Sequence, residues 1–169
     1  GYSRNTGKSE CASFELTAHL TGRYPSWWKG RRFNGPIQAW AAGDTMLSTR
    51  DIVQASLMGP TDHVGSKDWC GMIPRHLVLD TSRRSGGVDD CLEMVVVKHA
   101  AGGQSVLGFR SFDQGRRLFQ GTAQDFIWLD EEGPEDVVTE CLIRTMTTQG
   151  SLVMTLTPLQ GLTPFIQQY

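Results

Sequence analysis

At 169 residues, with 39% apolar and 20% charged positions, the chain has the size and composition of one soluble globular domain able to bury a sizeable core. No apolar run approaches the roughly 20 residues that span a bilayer, and no basic, apolar, small-residue succession opens the chain as a secretory signal. A net charge of -2 and a pI near 6.1 exclude reading a nucleic-acid binder from bulk charge.

The first residues, Gly1-Tyr2-Ser3-Arg4, read as loop. Good helix formers follow over 8–20, with Ala12, Leu16 and Leu20 (and Phe14 beside them) as an apolar stripe, closed by Gly22 and Pro25. The segment 36–43 reads as a short buried strand ending at a glycine turn, and 45–57 as a helix stopped by Gly59-Pro60. Residues 62–73 are turn-rich and receive no element; 76–80 form a candidate short strand. Two β-rich runs, 92–99 and 104–112, joined by Ala-Ala-Gly-Gly, predict a hairpin. The continuous apolar run 126–129 stops at three carboxylates. After Gly133-Pro134 a helix starts near Glu135, with Val138, Cys141, Leu142 and Thr145 to one side, and 151–156 is again a strand. Strands alternating with helices imply a largely parallel sheet covered on both faces.

The four cysteines, Cys11, Cys70, Cys91 and Cys141, show no CxxC spacing. A zinc site and a disulfide framework are therefore disfavoured, and a reducing, cytoplasmic setting is the simplest inference. The basic pairs Arg31-Arg32, Arg83-Arg84 and Arg116-Arg117 read as solvated surface.

Chemistry concentrates in three places. Ser3-Arg4-Asn5-Thr6-Gly7-Lys8-Ser9 heads the first helix. A phosphate chain needs inward-pointing backbone N–H groups and gains from the helix dipole. Gly7 permits close approach, Lys8 reaches the outer phosphates and Ser9 offers a hydroxyl to Mg²⁺. Strict P-loop spacing would place a glycine where Tyr2 stands, and by itself a Gly-Lys-Ser before a helix is a common accident. The second place is the strand tip Asp130-Glu131. An apolar strand delivers its last residues to the edge where ligands bind in α/β folds. There Asp130 suits the Mg²⁺ hydration shell and Glu131 the attacking water, whereas Glu132 reads as solvated. The bland alternative is a strand followed by a polar turn. The third place is Thr155-Leu156-Thr157-Pro158, where a polar residue at a strand tip can sit beside the γ-phosphate, although threonine is also simply a good strand former.

Together these segments, with Pro134-Glu135-Asp136, Phe119-Gln120-Gly121-Thr122 and the run from Thr155 to Thr163, resemble the large terminases of tailed bacteriophages. Members of that family often replace the first P-loop glycine and carry an arginine inside the loop, as Arg4 stands here. The resemblance implies an α/β P-loop NTPase three-layer sandwich with a mostly parallel sheet and a β-hairpin insertion. It implies Mg²⁺-dependent ATP hydrolysis that drives double-stranded DNA into a procapsid. Ser3, Arg4, Asn5, Thr6, Gly7, Lys8 and Ser9 would bind nucleotide, Ser9 and Asp130 the metal. Glu131 and Arg4 would be catalytic, and Thr155 and Thr157 would couple hydrolysis to movement. Portal protein, small terminase and a homo-oligomeric ring are the implied partners, without a membrane, in the cytoplasm of a bacterial host. The chain starts a few residues before Lys8 and stops at Tyr169, so the resemblance also implies a partial ATPase domain, 1–169, lacking the strand ahead of the loop and the nuclease domain after it. A helicase- or recombination-type ATPase, or a non-catalytic DNA-binding or structural module on the same fold, are the other readings. A second ATPase-like lobe beyond residue 169 would favour the helicase.

Overall fold

The computed structural model describes residues 6–60 and 69–157. Its centre is a six-stranded sheet of order β2-β3-β4-β1-β5-β6. The strands are β1 (Gln38–Gly43), β2 (Val78–Arg83), β3 (Leu92–Lys98), β4 (Gln104–Ser111), β5 (Phe126–Asp130) and β6 (Ser151–Thr155). Strands β4, β1, β5 and β6 run parallel, and β3 pairs antiparallel with both β4 and β2. The expected α/β, mostly parallel sandwich is therefore the fold, and the expected hairpin is β3–β4.

Strand β5 decides the layering. All five of its residues are buried, because each face of the strand meets a separate apolar cluster. Phe126 and Trp128 point to one side with Ala39, Ala41, Val95, Val97, Leu107 and Phe109. Helix α1 (Thr6–Thr21) covers that side with Ala12, Leu16 and Leu20. Ile127 and Leu129 point to the other side, where α4 (Glu135–Met146) brings Val137, Val138 and Cys141 against them. Continuous apolar strands are what a parallel sheet covered on both faces requires.

Helix α1 ends where Gly22 adopts φ 67°, the left-handed position that favours glycine. A side chain there would also collide with His99, whose ring lies 2.4 Å from where a Cβ would stand.

Several boundaries differ from the sequence reading. Strand β1 begins at Gln38, two residues past Pro36. The helix expected over 45–57 is divided into α2 (Met46–Ser48), a π-helical stretch Thr49–Gln54 and α3 (Ala55–Met58). Its N-terminus is capped by Thr45, whose hydroxyl accepts the Ser48 N–H. The π turn presents Gln54 inward, where its amide oxygen accepts the Leu92 N–H at 2.8 Å. The short strand expected over 76–80 is a 3-10 turn, Arg75–Leu77, followed by β2 up to Arg83. β2 is an edge strand with mostly exposed residues, so no apolar pattern marks its extent.

Candidate functional site

Parallel strands end on a common edge, and here that edge gathers the tips of β1, β4, β5 and β6. The start of α1 lies over the same edge. Ser9 Oγ donates to Asp130 Oδ1 at 2.9 Å, and both side chains are buried. Thr155, the register partner of Asp130 on β6, donates its hydroxyl to the same carboxylate oxygen at 2.7 Å. The indole of Trp128 in turn donates to Thr155 Oγ1 at 2.9 Å. A chain of hydrogen bonds thus runs from the fully buried Trp128 through Thr155 to Asp130, and holds the carboxylate toward Ser9.

Lys8 reaches across from α1 to the next residues of the β6 segment. Its ammonium donates to the Leu156 carbonyl at 2.7 Å and to Thr157 Oγ1 at 3.2 Å. Between α1 and β6 runs an open groove of about 690 Å³, lined by Gly7, Lys8, Cys11, Ala12 and Glu15 on the helix and by Val153, Met154, Thr155 and Leu156 on the strand side.

Glu131 follows Asp130 with φ 87°, a left-handed conformation that costs a residue with a side chain of order 1 kcal/mol or more. Its N–H donates to the Thr155 carbonyl at 2.7 Å, which fixes the backbone at the strand tip. Burial pushes the Glu131 carboxyl above its ordinary value; Asp130 and Asp44 push the same way and the Lys8 ammonium opposes them. Asp44 is a member of this edge that sequence reasoning missed. Its signal was present: Ala-Trp-Ala-Ala-Gly-Asp is also an apolar strand run into an acid.

The structure therefore brings together Gly7, Lys8, Ser9, Asp130, Glu131, Thr155 and Thr157. Thr6 opens α1. Ser3, Arg4 and Asn5 lie outside the described residues, as do Pro158 to Thr163 of the third motif. Among the described residues, no three His, Cys, Asp or Glu side chains group as a metal-binding cluster. All four cysteines are free. No helix among the described residues is long and apolar enough to cross a membrane.

The family model for the N-terminal part of terminase large subunits of the T4-like-virus type matches residues 1–169. The chain belongs to this family. Among curated proteins it is similar to the large terminase subunit of Salmonella phage P22, 29% identical over 180 residues, which covers 96% of this chain and 36% of that protein. The chain thus spans about a third of the length of that large terminase. Its fold is that of the large terminase of a thermophilic bacteriophage, with TM-score 0.62 at 15% identity over 99% of this chain and 35% of the other. The same phage's large terminase in complex with ADP matches with TM-score 0.53 at 13% identity, over 91% of this chain and 31% of the other.

Proposed function

We propose that this chain is the ATP-hydrolysing part of a large terminase, whose turnover drives double-stranded DNA into a procapsid. The observation that carries the reading is the meeting of Lys8 and Ser9, at the head of α1, with Asp130 and Thr155, at the tips of β5 and β6. Helix-start N–H groups, a lysine and a hydroxyl on one side of a pocket, facing carboxylates on the other, are the parts that hold and hydrolyse a nucleoside triphosphate. The structural relative that carries ADP supports the same reading.

In this reading Ser3, Arg4, Asn5, Thr6 and Gly7 bind the nucleotide. The Lys8 ammonium leaves the Leu156 carbonyl and the Thr157 hydroxyl to meet the outer phosphates, and Arg4 offsets charge on the γ-phosphate. Ser9 and Asp130 present hard oxygens to one point, a donor pair that fits Mg²⁺, an ion that takes one or two protein oxygens beside phosphates and water. When bound there, Mg²⁺ supplies charge neutralisation at the β- and γ-phosphates. Glu131 orients and polarises the attacking water, and its raised proton affinity suits a group that accepts a proton. Thr155 and Thr157 touch Asp130 and Lys8 respectively, so movement of the β6 segment follows what those two residues hold.

By the same reading the protein works as a homo-oligomeric ring with portal protein and small terminase, in the host cytoplasm. A packaging assay tests it: full-length protein with procapsids and duplex DNA should accumulate nuclease-protected DNA with ATP. No protected DNA, or equal protection with a non-hydrolysable analogue, would sink the proposal.

A further inference from the structure

The three basic pairs have different surroundings. Arg83 pairs with Asp90 at 2.8 Å and Arg116 with the buried Glu140 at 3.0 Å. Arg31 and Arg32 pair with no carboxylate among the described residues. They lie in the connection between α1 and β1, where Arg23, Lys29, Arg31 and Arg32 are all exposed and no acid occurs from Gly22 to Gly43. Four of the chain's 16 cations thus fall within ten positions, in a protein of net charge -2.

Aromatic residues alternate with these cations, and they make the connection a built surface. Tyr24 is anchored from below: its hydroxyl lies 2.9 Å from Nδ1 of the buried His19 and accepts the Phe33 N–H at 2.9 Å. Trp28 closes the turn by donating its indole N–H to the Arg31 carbonyl at 2.9 Å. The guanidinium of Arg31 lies 4.4 Å over the ring of Phe33, and that of Arg32 lies 5.3 Å over Tyr24. Arg31 also donates to the Gln149 carbonyl beside β6. Trp27, 66% exposed, lies nearly parallel to Phe14 at 6.0 Å, with a 10° angle between the rings. Of the acids nearby, Asp125 turns its carboxylate to the Gln38 N–H, and Glu15 turns toward His19.

We propose that this surface grips the sugar–phosphate backbone of DNA, with Arg23, Lys29, Arg31 and Arg32 on phosphates and Trp27 flat against a sugar or an exposed base. Charge complementarity identifies a polyanion. Rigid guanidinium planes suit phosphate, which they meet in bidentate fashion. An exposed indole laid on a second ring is a platform of the kind that nucleotides stack on, and an acidic peptide has no use for it. Arg31, bonded to Gln149 just before β6, marks the starting ends of the parallel strands, whereas Lys8 and Asp130 lie at their finishing ends; Trp27, laid on Phe14, lies about 9 Å along α1 from Lys8 and does not line the groove there. The proposal rests on the DNA-motor reading above and adds where the chain itself meets the DNA.

The test measures binding of a labelled DNA duplex, and of its single strand, to full-length protein over a range of salt. The variants are R23E/K29E, whose two side chains make no hydrogen bond among the described residues, and Trp27→Ala. The double variant is expected to weaken binding at least tenfold. It should also reduce the slope of log affinity against log salt by about 2, since each lost phosphate contact removes about 0.9. Trp27→Ala is expected to weaken binding about fivefold or more with the slope unchanged. Wild-type affinity and slope in both variants would overturn the proposal, as would loss of poly-glutamate binding with DNA binding intact. ATP turnover without DNA, read in parallel, should stay at the wild-type level in both variants. Absence of turnover in the wild type would count against the ATPase reading and leave the DNA result to be judged by itself.

Discussion

Ser9 and Asp130 stand 121 positions apart in the chain, yet their side chains share a buried 2.9 Å hydrogen bond. That bond joins the phosphate-loop helix to the acid-tipped strand, and Asp130 keeps a second bond to Thr155 at 2.7 Å. Because Asp130 offers its charge where Ser9 offers a hydroxyl, Asp130→Asn should weaken Mg²⁺ binding by the nucleotide complex on the order of 10- to 100-fold. Ser9→Ala should weaken it less, because the charge remains. Titrating Mg²⁺ against nucleotide binding in both variants checks the order; equal, small effects would remove the metal assignment.

Thr155 bridges Trp128 and Asp130 through one hydroxyl. Thr155→Val keeps the shape but strands the indole N–H of a fully buried tryptophan, which costs about 1–3 kcal/mol. Thr155→Ser restores the hydroxyl and should recover most of that loss. Urea denaturation of the three proteins measures it. In the same samples turnover should fall with valine and return with serine, since the bond also aims Asp130.

Glu131 occupies a left-handed conformation at φ 87°, where glycine is at ease. Glu131→Gly should leave stability within about 1 kcal/mol of wild type or above it while turnover is lost. A large drop in the thermal midpoint would show instead that the side chain holds the fold.

Thiol reactivity reports the layering. Cys11 and Cys70 are exposed, whereas burial pushes the Cys141 thiol up to about 12 and keeps it protonated. Native protein should react with a maleimide at Cys11 and Cys70 and not at Cys141. Cys11 lines the groove beside Lys8, so Mg²⁺ and ATP should slow its labelling and leave Cys70 unchanged. Mass spectrometry of the labelled peptides decides.

The sequence revealed the elements whose identity is local. Phe126-Ile127-Trp128-Leu129 read as an apolar strand running into acids, and Gly22, Gly59 and Pro134 stood where helices stop or start. The β3–β4 hairpin showed itself through paired β-rich runs around Ala-Ala-Gly-Gly. What stayed hidden depends on partners far along the chain. The π turn at Thr49–Gln54 places Gln54 to serve Leu92 and Asp90, 38 and 36 positions away, and no local pattern records such a demand. The strand order put β1 between β4 and β5, which the alternation of elements alone does not dictate. At the candidate site, Lys8 and Ser9 were readable from the Gly-Lys-Ser run at the head of a helix, and Asp130 and Glu131 from the acids that follow an apolar run. Trp128 as the donor that steadies Thr155 was not, since an indole in an apolar run reads only as core.

ATP turnover by the full-length protein, measured with Mg²⁺ for wild type, Lys8→Ala and Glu131→Gln, tests the central claim most directly. Wild type should hydrolyse ATP, and Glu131→Gln should lose on the order of 10²–10⁴-fold in rate while still binding nucleotide. Lys8→Ala should lose both binding and turnover. Undiminished hydrolysis in both variants would contradict the account, because the two sides of the pocket would then take no part in the chemistry.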